Sequence, residues 1–201
     1  MKRTRLQIDV RRGQLIDAAL ELFASRPYDQ VAIADVARAA GVSHGLVFHH
    51  FGDKHRLYLA VLGRVADGLV GATAAAGDRT PVQQLYAGLE AHLDFAARYP
   101  DAYAAFLRGG AGADPEALAI IDTARRQGLR HVLEALGIRE PGAALWLALC
   151  GWQGFTEGAI LGWLEDRALP RDKLLEMLAL ALDDALRLGG IEVSERRRPS
   201  G

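Results

Sequence analysis

VAIADVARAAGVSHGLVFHHFGDKHRL, residues 31–57, reads as two short helices joined by a tight glycine turn and followed by the capped start of a third. In the first, Ile33, Val36, Ala37 and Ala40 recur at spacings of three and four, which gathers them on one buried face. Gly41 supplies the positive backbone angle that stops this helix and turns the chain. Ser43 has the short side-chain oxygen of an N-cap and opens the second helix. There Val47 and Phe51, four apart, form an apolar anchor, while Ser43, His44, Gly45, His49 and His50 carry small or hydrogen-bonding groups. A helix anchored on one side and small and polar on the other has the groups to enter a major groove.

Over about residues 10–60 the chain resembles the TetR family of bacterial one-component transcription regulators. The family pattern DIAxxAGVS is matched by DVARAAGVS from Asp35 to Ser43, and Phe48, His50, Phe51 and Lys54 fall on the aromatic, His, Phe and Lys that follow it. The resemblance implies double-stranded DNA as a partner and Ser43, His44, Gly45, Leu46, Phe48, His49, His50 and Lys54 as the contacting set, with His50 and Lys54 on the family's phosphate-contacting positions. Three positions depart from the pattern, and each loses a hydroxyl: Ala32 at the cap of the first motif helix, Leu46, and Phe48 where a tyrosine is usual. Phosphate contact therefore leans on other donors, and four of the six histidines, His44, His49, His50 and His55, fall within this short stretch.

Charge distribution agrees with a reading head on a larger body. Residues 1–58 carry nine Lys or Arg against six Asp or Glu, and the remainder 15 against 19, so a +3 segment precedes a −4 one in a chain of net charge −1. The basic amino terminus, with Arg3 and Arg5, has the composition of an arm that reaches phosphates or a minor groove. It lacks a following apolar run, so no signal peptide is expected. The lone Cys150 rules out an internal disulfide framework, fits a reducing cytoplasm, and is expected to be a small core residue.

Periodicity and punctuation predict an all-α chain of about nine helices. The first spans about 10–25; Asp53 caps a long helix to about 76 after the motif. Thr80-Pro81 opens a helix to about 99, Pro100 a shorter one ending at Gly109, and Asp114-Pro115 another closed by Gly137. Two more follow, over about 141–166 and 170–188. The expected organisation is a helix-turn-helix domain over 1–52, an effector-binding and dimerising domain over 53–190, and a charged, disordered tail over 191–201.

The helix over 143–164 is apolar except for Gln153, Thr156 and Glu157, long enough to cross a bilayer, and carries the ladder Gly151, Gly154, Gly158 and Gly162. An acid at mid-span costs roughly 2.5–3.5 kcal/mol on insertion scales, and no second span accompanies it, so the membrane reading loses to a buried interface helix. Interior glycines, each about 1 kcal/mol worse than alanine, persist more easily where another backbone comes close. With Leu174, Leu178 and Ala181 on the last helix they make up the expected homodimer interface.

Aromatic residues crowd the same region on several helices. A mostly apolar pocket for a small-molecule effector is expected among Tyr86, Tyr103, Phe106, Trp152 and Phe155, with His92, Arg125 and Glu157 as polar anchors, and His131 and Gln153 as further candidates. Enzyme readings lack support: the run Gly109, Gly110, Gly112 has no Lys-Ser or Lys-Thr after it, and the adjacent His49 and His50 are not spaced to share one helical face as metal ligands. No cofactor or metal is expected.

Overall fold

The computed structural model describes residues 2–73, 79–107 and 114–191, with residues 2–7 and 73 described by backbone only. Among these, nine α-helices and no strands are found: α1 (Lys2–Ser25), α2 (Ile33–Ala39), α3 (His44–Phe51), α4 (Lys54–Thr73), α5 (Pro81–Arg98), α6 (Pro100–Leu107), α7 (Pro115–Ala135), α8 (Ala143–Asp166) and α9 (Arg171–Leu188). A single 3-10 turn at Tyr28–Gln30 joins α1 to α2. α1 extends to Lys2, eight residues before the expected start, so the backbone of the basic segment is helical rather than an extended arm. The side chains of Arg3 and Arg5 lie outside the described residues, as do the expected end of α4 near residue 76, the glycines 109–112 and the tail from 192 onward.

Helix starts follow the local chemistry. The Asp53 carboxylate accepts from the Arg56 N–H at 2.7 Å and caps α4. Thr80 and Gln83 exchange side-chain-to-backbone bonds at the start of α5, at 3.3 and 3.0 Å, a complete capping box. Asp114 accepts from the Glu116 N–H at 3.0 Å and caps α7.

The chain forms two compact units, Met1–Leu69 with Tyr99–Ala124 and Val70–Arg98 with Arg125–Gly201. This division differs from a single break at residue 52: α4 and α7 each run from one unit into the other, and α6 belongs to the first. There α1 packs on α6 and α2, and α2 on α3, around Leu15, Val36, Val47, Leu57, Tyr103 and Phe106. In the second unit α9 packs on α8 and α5, burying Leu93, Leu149, Ile160, Leu174, Leu178 and Leu186. Two sequence expectations are corrected here. Leu174 and Leu178 are fully spent in this core and leave no surface for a partner, and Cys150 is exposed rather than buried.

At the end of α9 the chain passes Gly189 directly against the first turn of α8, where an added Cβ would lie 2.8 Å from the Leu145 Cα. Because that neighbour is backbone, relief needs a helix to shift. Gly189→Ala is therefore expected to destabilise the protein by about 1–3 kcal/mol, read as a lowered midpoint in denaturant at unchanged slope.

Candidate nucleic-acid interface and ligand cavity

The turn between α2 and α3 is built from three local devices. At the start of α2 the Asp35 carboxylate accepts from the Ala32 N–H at 3.1 Å, but Ala32 has no hydroxyl to complete the box. Gly41, at φ 65°, lets the Val42 N–H fold back onto the Ala37 carbonyl at 2.9 Å and wraps the end of α2. Ser43 Oγ accepts from the Leu46 N–H at 3.3 Å and starts α3. Gly52, at φ 80°, ends α3 after eight residues.

Within α3 the anchors and the outward groups separate cleanly. Val47 and Phe51 are buried, and the Arg12 guanidinium lies 5.1 Å from the centroid of the Phe51 ring. Ser43, His44, Gly45, Phe48 and His49 are exposed, Phe48 to 56%, while Leu46 and His50 are half-buried. A large aromatic held in water at the centre of a polar helix face is ready for contact with another surface. Gly45 has open space where a Cβ would project, so a duplex can approach the backbone. Burial, the neighbouring His49, and then Arg12 and Arg11 hold the His50 imidazole below its ordinary pKa, which favours the neutral ring in the free protein.

The last two basic candidates are engaged within the unit. The Lys54 ammonium lies 4.2 Å from the centroid of the Tyr28 ring, which packs edge-on against Tyr58 and stacks on Phe23. His55 Nε2 meets Asp114 Oδ2 at 2.6 Å, tying the first turn of α4 to the cap of α7, and this contact leads in lowering the Asp114 pKa. Tyr58 buries its hydroxyl without a partner, and burial pushes it up to about 12. Nothing in the local spacing signals either the His55–Asp114 contact, 59 residues apart, or the buried phenol.

The second unit holds a cavity between α5, α7, α8 and α9, with about 590 Å3 of atom-free space including solvent at its mouth. Its apolar wall includes Leu85, Leu89, Leu129, Val132 and Leu182, and Gly88 and Gly128 make room in it. Of the expected ligand residues, His92 and Trp152 line it, as do the further candidates His131 and Gln153. Burial drives the His92 imidazole down to about 4, so it is neutral at ordinary pH.

The other expected ligand residues go elsewhere. Tyr103 and Phe106 belong to the first unit and are filled into its core by the packing of α6 on α1. Phe155, 45% exposed, lies outside the cavity lining although it stands only three residues from Trp152. Tyr86 is half-buried on α5 outside the lining. Arg125 and Glu157 pair with each other instead, through contacts of 2.6, 3.0 and 3.2 Å that join α7 to α8. The polar lining residues missed by sequence reasoning as sites are Thr156 and Gln84; Thr156 was visible as a polar break in an apolar helix, but its facing was not.

On the outer face of α8, Gly151, Gly154, Gly158 and Gly162 form an exposed row with open space over each, beside Leu147 and Phe155. On α9, Ala181 is half-buried, and the outward apolar residues are Met177, Leu180 and Leu188. None of the helices, among the described residues, is long and apolar enough to cross a membrane. No cluster of three potential metal ligands occurs among them.

Comparison with known proteins places the chain. Residues 15–61 match the sequence model of bacterial regulatory proteins of the tetR family, and residues 81–182 that of the tetracyclin repressor-like C-terminal domain. The transcriptional activator FasR of Mycolicibacterium smegmatis is 44% identical over 93 residues, 45% of this chain and 42% of FasR. The regulator BetI of Rhizobium meliloti is 39% identical over 82 residues, 39% of each. The chain thus matches less than half the length of these curated relatives. A crystal structure of a tetR-family transcriptional regulator from Streptomyces coelicolor superposes with a TM-score of 0.77 at 32% identity, over 90% of this chain and 80% of the other. With both halves matched and the fold shared, the chain belongs to the TetR family of DNA-binding transcriptional regulators, which are not enzymes.

Proposed function

We propose that the protein is a homodimeric repressor of the cytoplasm that binds an inverted-repeat operator through α3 and is released from it by a small, mostly apolar effector held in the second unit. The observation that carries the DNA part is the outward face of α3: small and hydrogen-bonding groups around an exposed Phe48, on a helix capped at both ends and anchored only by Val47 and Phe51. Ser43, His44, Gly45 and His49 serve the groove, and His50 and Lys54 the phosphates. Arg3 and Arg5 add backbone contacts. Occupation of a promoter by such a protein blocks transcription without any further contact surface, which favours repression.

Dimerisation is assigned to the glycine row of α8 with Leu147, Phe155 and the outward residues of α9. Two copies joined there present their α3 helices to successive major grooves, about 34–36 Å apart. Effector coupling is assigned to α4 and α7, the helices that run from one unit into the other. α7 carries Asp114 at its start and cavity residues Gly128, Leu129, Val132 and Ala135 along its later turns. A ligand preference of about 1–3 kcal/mol for one arrangement changes operator affinity about 5-fold to 150-fold.

Two experiments test this. In the free protein His50 is held toward the neutral form; a phosphate beside it favours the protonated form, so operator binding takes up a proton and tightens as pH falls. Titrations of a promoter fragment of the protein's own gene from about pH 8 to about pH 5.5 should show this slope in wild type and a reduced one in His50→Gln, and superimposable profiles would remove the histidine from the interface. Gly158 has open space over it within the chain, so Gly158→Leu should leave the subunit folded while holding paired helices apart. Sedimentation should then report monomer, with operator affinity lost; a Gly158→Leu dimer of normal affinity would move the interface elsewhere.

A further inference from the structure

The cavity has an unusual inventory of polar groups. Among the described residues no Lys, Arg, Asp or Glu lines it; its polar members are Gln84, His92, His131, Trp152, Gln153 and Thr156. Three of its polar side chains are already used: the Trp152 N–H donates to the Leu178 carbonyl at 3.1 Å, the Gln153 amide to the Arg125 carbonyl at 3.2 Å, and the Gln84 amide to the Arg79 carbonyl at 3.1 Å. Thr156 is different. It is 2% exposed, forms part of the wall, and its hydroxyl has no partner. A helical threonine usually bonds the carbonyl one turn back, as Thr123 does to Ala119 at 2.7 Å, but Thr156 makes no such bond. A buried hydroxyl left unpaired is unfavourable, and one rotation about its Cα–Cβ bond exchanges hydroxyl and methyl at the wall.

We propose that the cavity selects an uncharged, mostly apolar molecule bearing a carbonyl oxygen, and that this oxygen accepts a hydrogen bond from the Thr156 hydroxyl. The proposal rests on the effector reading and names the chemistry of its ligand. Charge is disfavoured because a carboxylate or ammonium brought into this wall loses hydration and meets no Lys, Arg, Asp or Glu among the described lining residues. The Arg125 guanidinium is turned onto Glu157, so this pair neutralises itself rather than the ligand. His92, desolvated and neutral, supplies no cation. A wholly apolar molecule would fit the leucine and valine surfaces but leave the hydroxyl unpaired. A carbonyl compound does both.

The test uses the full-length protein, N-phenyl-1-naphthylamine as a fluorescent reporter of the cavity, and three competitors of similar shape: 2-acetylnaphthalene, 2-ethylnaphthalene and the anion 2-naphthoate. Near neutral pH the ketone should displace the reporter about tenfold more tightly than the hydrocarbon, the yield of one added hydrogen bond with relief of an unpaired group, and about tenfold or more tightly than the anion. In Thr156→Val the ketone-to-hydrocarbon ratio should collapse to about one while the hydrocarbon keeps its affinity. This variant removes an unpaired hydroxyl at constant shape, so its melting temperature should not fall. Gly128→Leu, which adds a side chain in the wall, should weaken all three competitors. The proposal is overturned if 2-naphthoate binds as well as the ketone, if Thr156→Val keeps the ratio or is destabilised, or if none of the three displaces the reporter. Operator release measured in parallel separates the two levels. Ketone selectivity without DNA release sinks the effector reading alone, whereas DNA release by the anion, independent of Thr156, sinks the ligand chemistry alone.

Discussion

The structure depends on two side chains, Val47 and Phe51, burying themselves from an eight-residue helix. A helix of that length is marginal by itself in water, so α3 exists because its tertiary contacts hold it. Each buried anchor contributes about 1.5–3 kcal/mol, and the Ser43 cap about 1 more. His44, Gly45, Phe48 and His49 are thereby released from burial. That is why Phe48 and His49 can be exposed: spacing four apart gives the anchors one narrow stripe and leaves these residues outside it.

The larger helix α8 solves the opposite problem, being apolar nearly all round. Leu145, Leu149 and Ile160 enter the core of the second unit, while Leu147 and the glycine row stay outside. Glu157 would be hard to accommodate among them as a lone charge. Its bidentate contact with Arg125 makes the acid tolerable and ties α8 to α7; removing either partner would strand the other, so the pair specifies the junction more than it adds net stability. The same pair holds the guanidinium on Glu157, and in the cavity beside Gln153 the Thr156 hydroxyl is buried without a partner.

What the sequence determined by itself is whatever depends on neighbours within one or two turns. The helix-turn-helix was legible because Gly41, Ser43 and the Val47–Phe51 pair act locally, and the helix starts at Asp53, Thr80 and Asp114 because caps are local hydrogen bonds. The family followed from the same stretch. Tertiary structure alone decided which face of each later helix turns inward. Leu174 and Leu178 have the spacing of an interface but were taken by the core, Phe155 turned out while Trp152 turned in, and Tyr103 and Phe106 joined the first unit because α6 packs on α1. Cys150 is exposed for the same reason, since α8 is apolar on both sides and hydrophobic periodicity carries no facing information there. The pairing of His55 with Asp114 and the unpaired hydroxyl of Thr156 are likewise products of long-range packing: a residue's chemistry is written in the chain, but its partner is chosen by the fold.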